Sequence, residues 1–430
     1  MSPMTITLLI GVLVVISFIW GRIPYGLTAV LCAVALQLTG VLSFNEAWGG
    51  FSNNTVFLFA AIFVLGAGLS KTSFLANIQK LVDGLGGSET KISLVCILMA
   101  VVLAIFMNAT SATAALLPMI SAISAGSRIP RSRLLMPVTA VAAMWVGVLP
   151  FGMGASIFSQ NNAILEAMGQ AGTFGFFDNA VARIPILILT TAFVFFVSRK
   201  LAPDYPETVT RVEGAAKNAS AKGSSGLKPW QDTLGLAIFF GTVLCMAAST
   251  WTKWPVYDVA VIGAALMVIF GILDGKEAFK AIDVQTICIF AGMLSYATAL
   301  SGTGAGEAIA NWMQATMGTA MNAYVVSALF FFVPFLMTQV MNNIAVDNLL
   351  RPLAAVVCVE LGMDPRGPMI AVTAAACLAV CTPMACAPMA LIMEPGQYKF
   401  VDYLKHGIPV AIVFFALYML WMPLMFPPFG

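Results

Sequence analysis

Four short polar interruptions of long apolar stretches hold the residues best suited to chemistry. The first is Met107-Asn108-Ala109-Thr110-Ser111, with Thr113 close behind. The second is Met341-Asn342-Asn343, flanked by Thr338, Gln339, Asp347 and Asn348. The others are Leu149-Pro150-Phe151-Gly152-Met153-Gly154 and Thr382-Pro383-Met384-Ala385-Cys386-Ala387-Pro388. Proline and glycine free backbone carbonyls and expose helix ends. Carbonyl, Asn and Thr oxygens together suit a small hard cation such as Na⁺. A helix beginning just after a break points N–H groups at an anion. Thr110 or Ser111 can cap the helix that starts at the first interruption. Thr338, about one turn before the second, can reach back to it. No Arg or Lys lies within four residues of either Met-Asn pair. An anion bound there would need accompanying cations to offset its charge.

The surrounding elements follow from composition. The 430 residues are 60% hydrophobic and 9% charged, with a net charge of +2; a soluble chain carries about 25% charged residues. A soluble enzyme, a nucleic-acid binder and a disordered scaffold are excluded. About 20 apolar residues cross a bilayer as a helix. Ten spans are predicted at 4–20, 24–43, 54–70, 134–155, 180–198, 232–250, 256–273, 284–300, 367–392 and 408–426. Regions 92–127 and 320–358 are each long enough for two helices and are broken at the Met-Asn pairs. Polar backbone at membrane depth survives only inside protein or along a cavity, so both are read as re-entrant hairpins with those pairs at their tips. The bland reading, polar side chains as glue between helices, weakens because two Met-Asn pairs sit at matching places. The eight cysteines are read as small buried residues, and metal binding by Cys377, Cys381 and Cys386 is discounted.

Orientation follows Lys and Arg. The loop with Arg199, Lys200, Arg211, Lys217, Lys222 and Lys228 is placed in the cytoplasm, and only Arg183, Lys253, Arg351 and Arg366 then fall outside. Both termini are expected outside a cell membrane, the inner one in a bacterium. Asp347 and Arg351, four apart on a helix, face one another and read as a structural pair at the outer vestibule.

The two halves repeat. Segments 46–72 and 277–303 share 8 of 27 residues at a displacement of 231. At 234, Met107-Asn108, Leu116 and Pro118 meet Met341-Asn342, Leu350 and Pro352. At 224, Gly172, Phe176, Asp178, Ile184 and Pro185 meet Gly396, Phe400, Asp402, Ile408 and Pro409. Phe74, Ile78, Leu81, Val82 and Leu85, and likewise Ile309, Trp312, Met313 and Met317, mark interfacial amphipathic helices. Glu46 and Glu277 read as charges at helix N-termini. The expected fold is an all-α polytopic membrane protein of two inverted repeats, each of five transmembrane helices plus one re-entrant hairpin. The repeats are 1–199 and 231–430, joined by a cytoplasmic linker at 200–230. Inverted repeats with interrupted helices at mid-depth are the layout of many secondary transporters.

These residues resemble the divalent anion:sodium symporter family of the ion transporter superfamily. Its paired hairpin motifs fall on Asn108-Ala109-Thr110 and Asn342-Asn343-Ile344, and its Thr-Pro-x-Gly breaks on Leu149-Pro150-Phe151-Gly152 and Thr382-Pro383-Met384-Ala385. Its closing pattern falls on Gly396-Gln397-Tyr398-Lys399-Phe400-Val401-Asp402-Tyr403-Leu404-Lys405-His406-Gly407. The resemblance implies a homodimer and an elevator motion. It implies a substrate site at Asn108, Ala109, Thr110, Asn342, Asn343, Ile344, Pro150 and Pro383. It places Na⁺ at Asn108, Thr110 and Gly152, and at Thr338, Asn343, Thr382 and Ala385. Ala109, Ile344, Ala385 and Met389 depart from the family pattern, Ala385 standing where the family has Gly, and two side-chain ligands are missing. The expected activity is Na⁺-coupled symport of a small di- or tricarboxylate. Proton-coupled or exchange transport of sulfate or another oxyanion is the alternative, and an anion channel the alternative of another class. An intramembrane enzyme would need a paired Asp or a His-rich motif, which the chain lacks.

Overall fold

The computed structural model describes residues 1–74, 89–126, 129–150, 152–170, 174–197, 200–205, 227–248, 252, 254–317 and 323–427. These are helical and include no strand, as apolar runs in lipid must be when each backbone group has to find its partner within the segment. The first half runs α1 (Pro3–Trp20), α2 (Tyr25–Leu38), α3 (Phe44–Trp48), α4 (Asn54–Lys71), α5 (Glu89–Phe106), α6 (Ala109–Gly126), α7 (Arg131–Trp145), α8 (Met153–Glu166) and α9 (Asp178–Phe196). The second runs α10 (Pro229–Ala247), α11 (Val256–Ile269), α12 (Gly275–Ala281), α13 (Val284–Gly302), α14 (Ala305–Met317), α15 (Ala323–Thr338), α16 (Asn343–Glu360), α17 (Arg366–Cys377), α18 (Ala387–Leu391) and α19 (Phe400–Met425).

The internal repeat extends from residues to elements. Helices α2 and α11 have the same bounds displaced by 231 positions, and α6 and α16 the same bounds displaced by 234. Helix starts recur in atomic detail. Capping boxes formed by Ser43 with Glu46 and by Asp274 with Glu277 open α3 and α12, the role read for both glutamates. Asn108 Oδ1 accepts the Ser111 N–H at 2.8 Å, and Asn342 Oδ1 accepts the Ala345 N–H at 3.3 Å. Asp178 accepts the Gly175 N–H and Asp402 the Lys399 N–H, each at 2.8 Å.

Packing exchanges partners between the halves. Helix α2 lies against α13, and their counterparts α11 and α4 lie against each other. The first contact is backbone to backbone: a Cβ on Gly292 would stand 2.2 Å from the Ala29 carbonyl oxygen. Small residues drive such close approach between membrane helices. Helix α8 packs on α16 of the other half, and α18 packs on α6.

Among the described residues, seven helical segments are long and apolar enough to cross a membrane: Pro3–Trp20, Phe44–Lys71, Glu89–Phe106, Asp178–Phe196, Pro229–Ala247, Val284–Gly302 and Phe400–Met425. Six answer to predicted spans, and the seventh is the first arm of the predicted hairpin 92–127. The spans predicted at 24–43 and 256–273 contain helices of 14 residues, about 21 Å at 1.5 Å per residue. The predicted broken helices need redrawing. The interruption at 134–155 falls between Trp145 and Met153, and α8 then continues to Glu166. That at 367–392 leaves residues 378–386 outside any helix before the single turn of α18. Amphipathic α14 forms as expected, whereas its counterpart beyond Phe74 and residues 206–226 of the linker lie outside the described residues. Five cysteines are buried, but Cys245 is exposed on the apolar outer face, beside Leu244.

Candidate functional site

The first tip opens on a cavity of about 430 Å³. Met107, Asn108 and Ser111 line it, together with Phe106, Met153 at the start of α8, and Gly66 and Ser70 of α4. Asn108 takes the capping role that the sequence had offered to Thr110 or Ser111, since it accepts the Ser111 N–H. Asn108 and Thr110 are exposed and Ala109 is half-buried. The tip rests on rings: Phe106 meets Phe239 and Phe240 of α10 edge-on at 5.7 and 5.6 Å between centroids. Gly152 closes the site from the first break. Its φ of +52° suits only glycine, and a Cβ there would stand 3.3 Å from the Phe106 carbonyl oxygen. First tip and first break therefore touch, as expected, and Pro150 is buried within that break.

The second tip is sewn to the second break. The Gln339 side chain donates to the Leu378 carbonyl at 3.2 Å and accepts the Cys381 N–H at 3.0 Å. The Gln339 carbonyl accepts the Thr382 hydroxyl at 2.5 Å. Thr338 does not reach back to its own tip; it donates to the Ala376 carbonyl at 3.2 Å. Each hydroxyl keeps acceptor lone pairs that a cation can use. Asn342 caps α16 through the Ile344 and Ala345 N–H groups, and Asn343 also accepts from Ile344 at 3.0 Å. Pro383 and Ala385 are buried in the break, and the Ala385 N–H closes a turn onto the Thr382 carbonyl. Thr338, Asn342, Asn343 and Thr382 do not line the cavity of the first tip.

Two arginines stand elsewhere than charge counting placed them. Arg351 and Arg183 are 0% and 1% exposed, so neither belongs to an outer loop. Arg351 pairs with Asp347 at 2.5 Å and donates to Asn161 at 3.0 Å and Gln160 at 2.8 Å of α8. Asp347 also accepts the Thr373 hydroxyl of α17 at 2.8 Å. One buried ion pair thus ties the helix behind the second tip to elements of both breaks, rather than sitting in a vestibule. Arg183 donates to the carbonyls of Met144 at 2.9 Å and Val146 at 3.4 Å. The counting rule treats charges as water-borne, and the terminal guanidinium nitrogens of these two donate to protein groups instead.

At the cavity's edge, beside Ser70 and Ala281, Lys71 pairs with Glu277. That ammonium, then the Asp274 N–H, holds the Glu277 carboxyl below its ordinary range. Sequence reasoning missed the joining role of Gln339, and also Tyr398. The Tyr398 hydroxyl accepts the Met136 N–H at 3.0 Å and donates to the Ser132 carbonyl at 2.6 Å, two groups that an uninterrupted α7 would pair with each other. Tyr398 lies in the closing pattern noted from sequence, the one signal that pointed at it.

The family model described as "CitMHS: Citrate transporter" matches residues 15–365. This chain belongs to the citrate transporter family. Relatives support the resemblance to sodium symporters of divalent anions. The sodium-dependent dicarboxylate transporter SdcS of Staphylococcus saprophyticus is 21% identical over 442 aligned residues, covering 94% of this chain and 83% of its own. The Na(+)/citrate cotransporter of Mus musculus is 25% identical over 144 residues, 33% of this chain and 24% of its own. The uncharacterized transporter YfbS of Escherichia coli is 29% identical over 188 residues, 44% of this chain and 31% of its own. The matched stretch thus spans under a third of YfbS. Two solved structures share the fold of this citrate transporter family member. The Alcanivorax borkumensis YdaH transporter has a TM-score of 0.63 at 13% identity, covering 89% of this chain and 87% of YdaH. Neisseria gonorrhoeae MtrF, of a class of antimetabolite efflux pumps, has a TM-score of 0.60 at 14% identity, covering 100% and 96%. By family and by its apolar helices this is an integral membrane protein of a transporter family.

Proposed function

We propose that this protein is a secondary active transporter that couples Na⁺ to a small di- or tricarboxylate, working as a homodimer by an elevator motion of the two hairpins and their breaks. The observation that carries the reading is the first tip: uncharged Asn108 and Ser111, at the start of a helix, face a cavity large enough for such an anion. A helix start favours a carboxylate, and oxygens of tip and break favour the cation that offsets it. Sodium-coupled relatives support this pairing. The inverted arrangement of the halves is part of the proposal and draws support from their exchanged packing partners.

Orientation gains support from the buried arginines. With Arg183 and Arg351 inside the protein, only Lys253 and Arg366 remain on the outer side of the charge count. The cavity reaches the Ser70 end of α4; on this orientation that end is cytoplasmic and the proposed state is inward-open.

Uptake of labelled citrate and succinate into proteoliposomes tests this. Na⁺ at fixed pH should drive saturable accumulation against a gradient, and choline should not. Drive by a proton gradient alone would transfer the reading to proton coupling, and sulfate uptake with carboxylates inert would transfer it to oxyanions. Non-saturating flux that never concentrates its solute would make the protein a channel.

A further inference from the structure

We propose that the seam between α4 and α8, held by Thr55 and Ser159, is the barrier of the transport path, and that a second cavity beyond it is the chamber on the other side; the proposal rests on the transport reading above. The second cavity holds about 410 Å³. Gly50 and Asn54 line it at the start of α4, Ala163 and Glu166 at the end of α8, and Leu294 and Thr298 from α13. It shares no lining residue with the cavity of the first tip. The same two helices nevertheless border both. Helix α4 gives Ile62 to the first and Asn54 to the second, and α8 gives Met153 to the first and Ala163 to the second. At about 1.5 Å per residue the wall between them is about 12 Å along α4 and about 15 Å along α8. A bilayer core measures roughly 30 Å, so the wall takes up at most half of it. Within the wall the Thr55 and Ser159 hydroxyls meet at 2.8 Å. One turn further on, Ala155 packs into the apolar cluster of Leu58 and Ala61. Among the described residues no ion pair crosses this seam. Small side chains and one hydroxyl pair can part and re-form at little net cost.

The internal repeat relates the two chambers. Displaced by 231 positions, Phe63 and Ala67 of the first cavity become Leu294 and Thr298 of the second, and Gly50 of the second becomes Ala281 of the first. Each cavity lies between the later part of one half's helix and the turn that leads into the other's. The tips break the match. Asn108 and Ser111 line the first cavity, whereas Asn342 and Asn343 do not line the second, where the end of α8 stands instead. Helix α16 lies along α13, while α6 faces α4 across the first cavity. Exchanging these two arrangements would close the first cavity and set the second tip beside Leu294 and Thr298. That exchange requires α8 to leave its place on α4. The contact of Thr55 with Ser159 is then made in one state and broken in the other.

The test uses the full-length protein in proteoliposomes. Ser111→Cys and Thr298→Cys, one in each cavity, meet a membrane-impermeant thiol reagent from one face and then the other, read above the background of the eight native cysteines. They should react from opposite faces. Reaction from the same face overturns the proposal, as does a folded Thr298→Cys that reacts from neither. Thr55→Cys with Ser159→Cys is then oxidised to a disulfide with copper phenanthroline. Uptake should fall to background and return with reductant, while the same treatment leaves each single variant as it leaves the parent. Parental uptake with the disulfide formed overturns the proposal, and so does a pair that neither the oxidant nor a short bifunctional thiosulfonate can bridge. Should that pair not fold, Leu58→Cys with Ala155→Cys, from the same seam, is read by the same criteria. If the parent takes up neither citrate, succinate nor sulfate the transport reading fails, while the sided labelling still reports whether two chambers are divided.

Discussion

At the scale of single residues, Asn108 does two jobs that one substitution can separate. It caps α6 through the Ser111 N–H, and it faces the cavity. Asn108→Ala should lower stability by about 1 kcal/mol, the usual worth of such a cap, and abolish uptake. Asn108→Ser retains a capping oxygen, so its melting temperature should return toward the parent's while uptake stays low. Full uptake in Asn108→Ser would reduce Asn108 to a cap. Arg351 poses a sharper case. Its loss leaves the mostly buried Asp347 carboxyl without its partner beside Thr373, and breaking a buried pair costs up to about 3–5 kcal/mol. Arg351→Gln should therefore melt far below the parent, and Asp347→Asn in the same chain should recover much of the difference. Equal melting of the single and double variants would show that the pair is not coupled.

At the scale of elements, the interruptions were legible because an Asn in an apolar run, or a Pro beside a Gly, has no comfortable place in an unbroken membrane helix. The partners of those interruptions were not legible. Residues Ser159, Gln160, Asn161 and Asn162 lie beyond the span predicted at 134–155, yet α8 runs through them, and Arg351 of the other half donates to two of them. Residues 378–386 stay out of helix because Gln339 binds Leu378 and Cys381 in place of a helical neighbour; nothing local signals that. The rung of α7 occupied by Tyr398 belongs to the same kind of long-range contact. Tyr398→Phe removes the hydroxyl that both groups use, and a buried polar group left alone costs about 1–3 kcal/mol. The expected result is a lower melting temperature with faster hydrogen exchange at the Met136 amide. Unchanged exchange there would mean that α7 repairs its own ladder.

At the scale of the whole molecule, the first tip is open to a cavity and the second lies against its break, so the two tips differ in access. With the proposed orientation, a membrane-impermeant thiol reagent should label Ser111→Cys from the cytoplasmic face only, and substrate with Na⁺ should slow the reaction. Labelling from the outer face alone would reverse the orientation. The membrane class and the two-fold repetition were readable from composition and from the Met-Asn pairs. The fate of each charge was not, since burial depends on which helices meet, and Arg183 and Arg351 were assigned to water for that reason.

The contact of Arg351 with Asn161 joins positions 190 residues apart. While the ribosome is still producing the second half, α8 already sits in the bilayer with Gln160 and Asn161 lacking the guanidinium that completes them. The nascent first half therefore carries polar side chains whose partner arrives only once residue 351 of the 430 has been translated.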